Sequence, residues 1–324
     1  MSNHKDTDKK ELMLTRRAFL GGLAMMPAYC LADPLLGFPE AIESFQTYGV
    51  IKKSIPSTNE KLPAVGMGTW ITFNVGRDTE LRNQRVRVLR EFFKYGGGMI
   101  DCSPMYGSSA EVLGYALAQI DNTKALFSAS KVWTSWKSSG PAEMEQQRKS
   151  WNIPRFDLMQ IHNLVNWEGH LETLRSQKKL GKIRYIGITT SHGRRHLELE
   201  SIMRNHDLDF VQLTYNILDR EAENRLLPLA RERGIAVIAN RPYQGGALFR
   251  KFQQKPLPTW ANKEAGARNW AEFFLKFIIS HPAITCAIPA TSKVGHMKEN
   301  MGAVYGNLPD AKVRAKMSAY VQSL

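Results

Sequence analysis

The stretch GGGMIDCSPMYGSSAEVLG, residues 96–114, reads as a short apolar strand, a loop and the start of a helix. Three glycines lead into Met99 and Ile100, the apolar step ends on Asp101, Tyr106 follows in a turn rich in Pro, Gly and Ser, and Val112 and Leu113 begin a helix-like run. From about residue 50 the same alternation recurs. PAVGMGTW (63–70), GMIDCS (98–103), LFSASK (126–131), FDLMQIH (156–162), IRYIGITT (183–190), LDFVQLTY (208–215), IAVIAN (235–240) and ITCAIP (284–289) are separated by longer segments of helical period. Asp78 is placed to cap a helix reaching Tyr95, Pro141 to open the next, and Trp270, Phe273, Phe274, Phe277 and Ile278 repeat at three- and four-residue intervals. Eight strands alternating with helices predict parallel βαβ units closed into one (β/α)8 barrel, an α/β TIM-barrel fold, over residues 51–324. The rival, an open doubly wound sheet, would be favoured by G-x-G-x-x-G after the first strand, and none stands there.

The 324-residue chain is 43% hydrophobic and carries a net charge of +14. That charge is spread along the sequence: Arg82, Arg85, Arg87 and Arg90 share a helix with Leu81, Val88, Leu89 and Phe92, and read as a solvated face. No basic stretch interleaved with aromatic residues and no zinc spacing points to nucleic acid, and no metal site is expected. Residues 1–14 are polar; TRRAFLGG (15–22) then leads into the short apolar run AMMPAYCLA (24–32), ending in small residues. The adjacent Arg16 and Arg17, with Phe-Leu close behind, resemble a twin-arginine export signal. The resemblance implies a signal segment over 1–32, a lead-in over 33–50, the Tat export machinery as a partner, a periplasmic or otherwise exported location, and no stable membrane anchor, since Tyr29 before Cys30 is too bulky for a lipidation signal. Cys102 and Cys286 would remain after cleavage, and strand one would lie between them, so both are expected as free thiols.

In a barrel, the C-terminal ends of the strands and the loops after them face the catalytic mouth. Asp101 ends strand two, Tyr106 lies in the loop after it, Lys131 ends strand three and His162 ends strand four. Each alone has an ordinary explanation: a turn cap, a packing phenol, a solvated lysine, a core histidine. Their arrival together from neighbouring strands favours a catalytic reading.

GTW (68–70), MIDCSPMYG (99–107) with EVLGYAL (111–117), SKVW (130–133), DLMQIHN (157–163), GKIRYIGITT (181–190), VQLTYN (211–216) and IPATSKVGHMKENMGA (288–303) resemble, in order, the signatures of the aldo-keto reductases. The resemblance implies a barrel that binds NADPH, with NADH the lesser expectation, and reduces a small-molecule carbonyl. Asp101, Tyr106, Lys131 and His162 match the family's catalytic four. A carbonyl gaining hydride at carbon needs a proton at oxygen; a tyrosine is a reluctant donor at neutral pH, and a neighbouring ammonium is expected to lower its pKa, with a carboxylate keeping that ammonium charged. By the same resemblance Thr69, Thr189, Thr190 and Gln212 sit at the nicotinamide, Thr291, Ser292 and Lys293 at a phosphate, and Glu299 and Asn300 at the adenine. His296 stands where many members have Arg. Asn240 and Arg241 depart from the usual stacking aromatic and serine, which leaves Tyr243 as the expected stacking ring. Trp70, Phe73 and Trp133 are expected around an apolar substrate, joined by Trp136 in the mouth loops. Two other functions remain open on the residues: a Schiff-base aldolase using Lys131 and a non-catalytic NADP(H)-binding protein that reports redox state.

Overall fold

The computed structural model describes residues 49–324, so the expected export signal and almost all of the lead-in lie outside the described residues. The chain enters through a hairpin, β1 (Lys52–Ser54) antiparallel to β2 (Lys61–Pro63). Eight parallel strands follow in chain order: β3 (Met67–Gly68), β4 (Met99–Asp101), β5 (Phe127–Val132), β6 (Phe156–Ile161), β7 (Ile183–Thr189), β8 (Phe210–Thr214), β9 (Ala236–Asn240) and β10 (Ile284–Ala287). Backbone hydrogen bonds from Gly66 N to Ala287 O (2.8 Å), Ala287 N to Ala64 O (2.9 Å) and Gly68 N to Pro289 O (3.0 Å) join the last strand to the first and close the barrel. Each of the eight expected apolar runs holds one barrel strand.

The hairpin is the element that hydrophobic period does not announce. Its strands have three residues each and begin on lysine, so they show no apolar run. Its contribution is a plug: Ile55 and Leu62, nearly without solvent exposure, share a core cluster with Met99, Phe127, Phe210 and Ala236, the first residues of four barrel strands. The rings of Phe127, Tyr185 and Phe210 pack 5.6–6.0 Å apart in that floor. Arg184 of β7 ties plug to barrel by pairing with both Glu60 and Asp157.

Local signals place the helices. The Asp78 carboxylate accepts from Leu81 N at 2.9 Å and opens the helix Thr79–Lys94. Val88, Leu89 and Phe92 are buried as expected, but the arginine face is not uniformly solvated. Arg85 is 6% exposed and donates to the carbonyl of Thr72, in the loop after β3, at 2.6 Å. The helix Ser109–Leu117, begun by the opening stretch, crosses the helix Gly140–Trp151 so closely that a Cβ at Gly114 would meet Ser150 O at 1.9 Å. Cys102 and Cys286 are buried free thiols on either side of β3.

Candidate active site

Asp101 closes β4, Tyr106 closes a single 3-10 turn (Pro104–Tyr106), Lys131 is the fifth residue of β5, and His162 directly follows β6. Lys131 points into the barrel with no solvent exposure. Its Nζ donates to Asp101 Oδ2 at 2.5 Å and Cys102 O at 2.8 Å, and lies 3.4 Å from the Tyr106 hydroxyl. His162 stands edge-on to the Tyr106 ring, centroids 5.8 Å apart and planes at 87°. The Asp101 Oδ1 atom accepts from Gln160 Nε2 (3.0 Å) and Gln212 Nε2 (2.9 Å), so each of its oxygens is engaged. Gln160 was not anticipated, although its position was readable: two residues before His162 on one strand, it shares that residue's inward face.

The electrostatics of the group differ from expectation at one point. Burial pushes the Tyr106 phenol up to about 12, against the opposing pull of Lys131. The lowering expected from Lys131 is outweighed by burial, and Asp101, 2.5 Å from the same ammonium, adds to the rise. Burial disfavours the charged form of Lys131, but Asp101 and Tyr106 outweigh it and raise its pKa. His162 is lowered to about 3, by burial first and by Lys131 second. A group that must hold its proton works below its pKa, and one that must be neutral imidazole works above it. If Tyr106 gives a proton in turnover and His162 acts as neutral imidazole, the rate is expected to stay level through neutral pH and to fall only toward the alkaline limit set by Tyr106 near 12. A pH profile of kcat/KM at saturating cofactor checks this; a fall centred near neutrality would show a phenol pKa lowered as in the simpler electrostatic picture.

A cavity of about 910 Å³ opens over these residues, near the upper end of the range for small-molecule sites. Thr69, Thr189, Thr190, Gln212, Arg241, Tyr243, Thr291, His296, Glu299 and Asn300 all line it, as does Trp70. Ser292 and the exposed Lys293 stand just outside the lining, at the start of the helix Val294–Gly302. Trp133 also lies outside the lining, 42% exposed, with its ring 6.3 Å from that of His162. Phe73 does not reach the cavity. Its N–H bonds Thr69 O at 3.1 Å, folding the loop back on itself and turning the ring into the core with no exposure. Tyr243 is 8% exposed, packs on Phe249 at 4.6 Å and donates to Asn300 Oδ1 at 2.7 Å. His192 and Arg194 line the cavity without having been anticipated; the signal was the cation-rich loop SHGRRH after β7. Arg241 Nη1 meets His192 Nε2 at 2.7 Å across the end of β8.

Two features of the cavity and its rim are compatible with a nicotinamide dinucleotide. Among the described residues, the buried Thr190 hydroxyl has no hydrogen-bond partner, and a carboxamide could supply one. The helix Val294–Gly302, which carries the lining residues His296, Glu299 and Asn300, has no side-chain cap hydrogen bond and has the exposed Lys293 at its N-cap, so free N–H groups and a lysine stand at one helix start, a pairing that suits a phosphate. Among the described residues, no three His, Cys, Asp or Glu side chains are grouped as metal ligands.

The closed (β/α)8 barrel thus carries a buried carboxylate–ammonium pair against a phenol at its mouth, the end of the fold at which barrel enzymes hold their active sites. Residues 64–320 match the Aldo/keto reductase family, and the chain belongs to that family. It is 28% identical over 275 residues to methylglyoxal reductase YeaE of Escherichia coli (strain K12), covering 82% of this chain and 93% of that protein. It is 23% identical to the NADH-specific methylglyoxal reductase of the same organism, covering 80% and 95%. Among solved structures, an aldo/keto reductase from Klebsiella pneumoniae in complex with NADP and acetate superposes with a TM-score of 0.71 at 23% identity, over 84% of this chain and 95% of that one, a likeness of fold.

Proposed function

We propose that the protein is an NADP(H)-dependent oxidoreductase that reduces the carbonyl of an aldehyde, ketone or quinone, with Tyr106 as the proton donor. The observation that carries this reading is the Tyr106 hydroxyl 3.4 Å from Lys131 Nζ, with the Tyr106 ring edge-on to that of His162, at the wall of one cavity. A bound reduced nicotinamide supplies the hydride. The Tyr106 hydroxyl gives its proton to the carbonyl oxygen as negative charge develops there. Lys131, held charged by Asp101, then stabilises the tyrosinate left behind. Gln160 and Gln212 hold the Asp101 carboxylate in place, and neutral His162 faces the same oxygen. Charged and fully buried, Lys131 is poorly placed as a Schiff-base nucleophile, which must first be a neutral amine.

The walls divide the ligands. Trp70, Met105 and Trp133, on the loops after β3, β4 and β5, make the side next to His162 and Tyr106 apolar, and suit an apolar or aromatic carbonyl. Thr190, Gln212, Thr291 and Asn300, toward β7–β10, suit the dinucleotide. The Klebsiella pneumoniae enzyme is described with NADP and one Escherichia coli relative as NADH-specific, so relatives take both forms. Lys293 favours NADPH through its charge on the additional phosphate, a contact of about 1.5–3 kcal/mol. Lys293→Ala is expected to weaken NADPH binding by at least roughly tenfold and NADH little, read by fluorescence titration with each. Equal losses would remove Lys293 from phosphate recognition and point to His296.

The sequence TRRAFLGG carries a second proposal: the protein leaves the cytoplasm already folded, by the twin-arginine route. Replacing Arg16 and Arg17 together by Lys is expected to retain the protein in the cytoplasm on cell fractionation. Unchanged export would assign a different route.

A further inference from the structure

We propose that Ser103 is a positioning residue that sets the tautomer of His162, so that the imidazole presents Nε2–H, as a hydrogen-bond donor, to the substrate's carbonyl oxygen. This rests on the carbonyl-reductase reading only for the identity of that oxygen. Ser103 follows Cys102 after β4, has no solvent exposure, and its Oγ lies 2.8 Å from His162 Nδ1. The same Oγ accepts from Met105 N at 3.2 Å, capping the 3-10 turn that carries Tyr106.

The assignment follows from counting hydrogens. A serine hydroxyl has one proton to give and lone pairs to receive, and a neutral imidazole has one N–H and one bare nitrogen. Met105 N–H occupies a lone pair of Ser103 Oγ. If Nδ1–H also donated to Ser103, the serine proton would be left without an acceptor, since the hydroxyl makes no other hydrogen bond among the described residues. A buried hydroxyl proton without an acceptor costs about 1–3 kcal/mol. If instead the serine donates to a bare Nδ1, every atom is satisfied and the imidazole proton resides on Nε2. That nitrogen makes no hydrogen bond within the described residues, and His162 lines the cavity beside Tyr106. Burial that holds His162 neutral removes the doubly protonated form, in which the choice would not arise. The loop from Asp101 to Tyr106 thus carries two duties: it brings the proton donor, and through Ser103 it fixes the donor face of the histidine opposite.

The test has one arm independent of activity. In the full protein labelled with nitrogen-15 histidine, the His162 ring resonances, assigned by comparison with His162→Gln, are expected to report a protonated Nε2 and a bare Nδ1. Ser103→Ala is expected to abolish that bias and to lower kcat for carbonyl reduction by roughly tenfold, the scale of one hydrogen bond, while leaving the NADPH dissociation constant unchanged. Ser103→Thr, which keeps the hydroxyl, is expected to restore the tautomer and most of the rate. A wild-type His162 protonated at Nδ1, or a Ser103→Ala protein with wild-type tautomer and kcat, overturns the proposal. The wild-type spectrum decides even where a substitution prevents folding, and wild-type protein lacking carbonyl turnover would reject the functional reading and leave the tautomer measurable.

Discussion

Lys131→Met is expected to abolish carbonyl turnover and to lower the stability of the folded protein together. The ammonium makes three contacts, to Asp101, the Cys102 carbonyl and Tyr106, with no solvent to replace it. Removing it leaves the Asp101 carboxylate buried with only the two glutamine amides, and breaking a buried pair in this way costs about 3–5 kcal/mol. Turnover falls because nothing then stabilises the tyrosinate formed as Tyr106 gives up its proton. The two effects separate in the double variant Asp101→Asn with Lys131→Met. A neutral amide can still accept from Gln160 and Gln212, so the double variant is expected to recover much of the lost stability in thermal denaturation and none of the turnover. A single Lys131→Met variant as stable and active as the wild type would place the lysine outside both the core and the chemistry.

Tyr106→Phe is the second large effect. It removes the proposed proton donor and keeps the ring that packs edge-on to His162, so the pocket retains its shape. Carbonyl reduction is expected to fall by about 10² to 10⁴, the range for general acid catalysis, with the affinity for NADPH unchanged by fluorescence titration. Stability should change little, because the phenol's only hydrogen bond among the described residues is the long one to Lys131 at 3.4 Å. Loss of cofactor binding along with turnover would show that Tyr106 shapes the site rather than serving the reaction.

Much of this was legible in the linear sequence because barrel topology converts strand ends into a common location. Once eight strands are counted, Asp101, Lys131 and His162 must converge, and the structure brings them together as counted. What escaped the sequence depends on three-dimensional detail. The β1–β2 hairpin leaves no periodic trace because its strands are short and charged, yet Ile55 and Leu62 plug the barrel floor. Arg85 turns inward to carbonyls whose exposure depends on the path of another loop, and Phe73 is withdrawn from the cavity by that loop's fold. The Tyr106 pKa depends on burial outweighing the pull of a charged Lys131, a balance that motif order does not encode. Gln212 was read as a cofactor contact alone, whereas it also donates to Asp101 from across the barrel.

The central claim is that Tyr106 gives the proton while a nicotinamide gives the hydride. Its most direct measurement uses reduced NADP deuterated at its reactive carbon, an aromatic aldehyde, and mass spectrometry of the alcohol formed by wild type and by Tyr106→Phe. Deuterium is expected on the alcohol carbon with wild-type protein, and product formation reduced by about 10² to 10⁴ with the variant. Absence of label from every alcohol formed, or equal product from the two proteins, would contradict it.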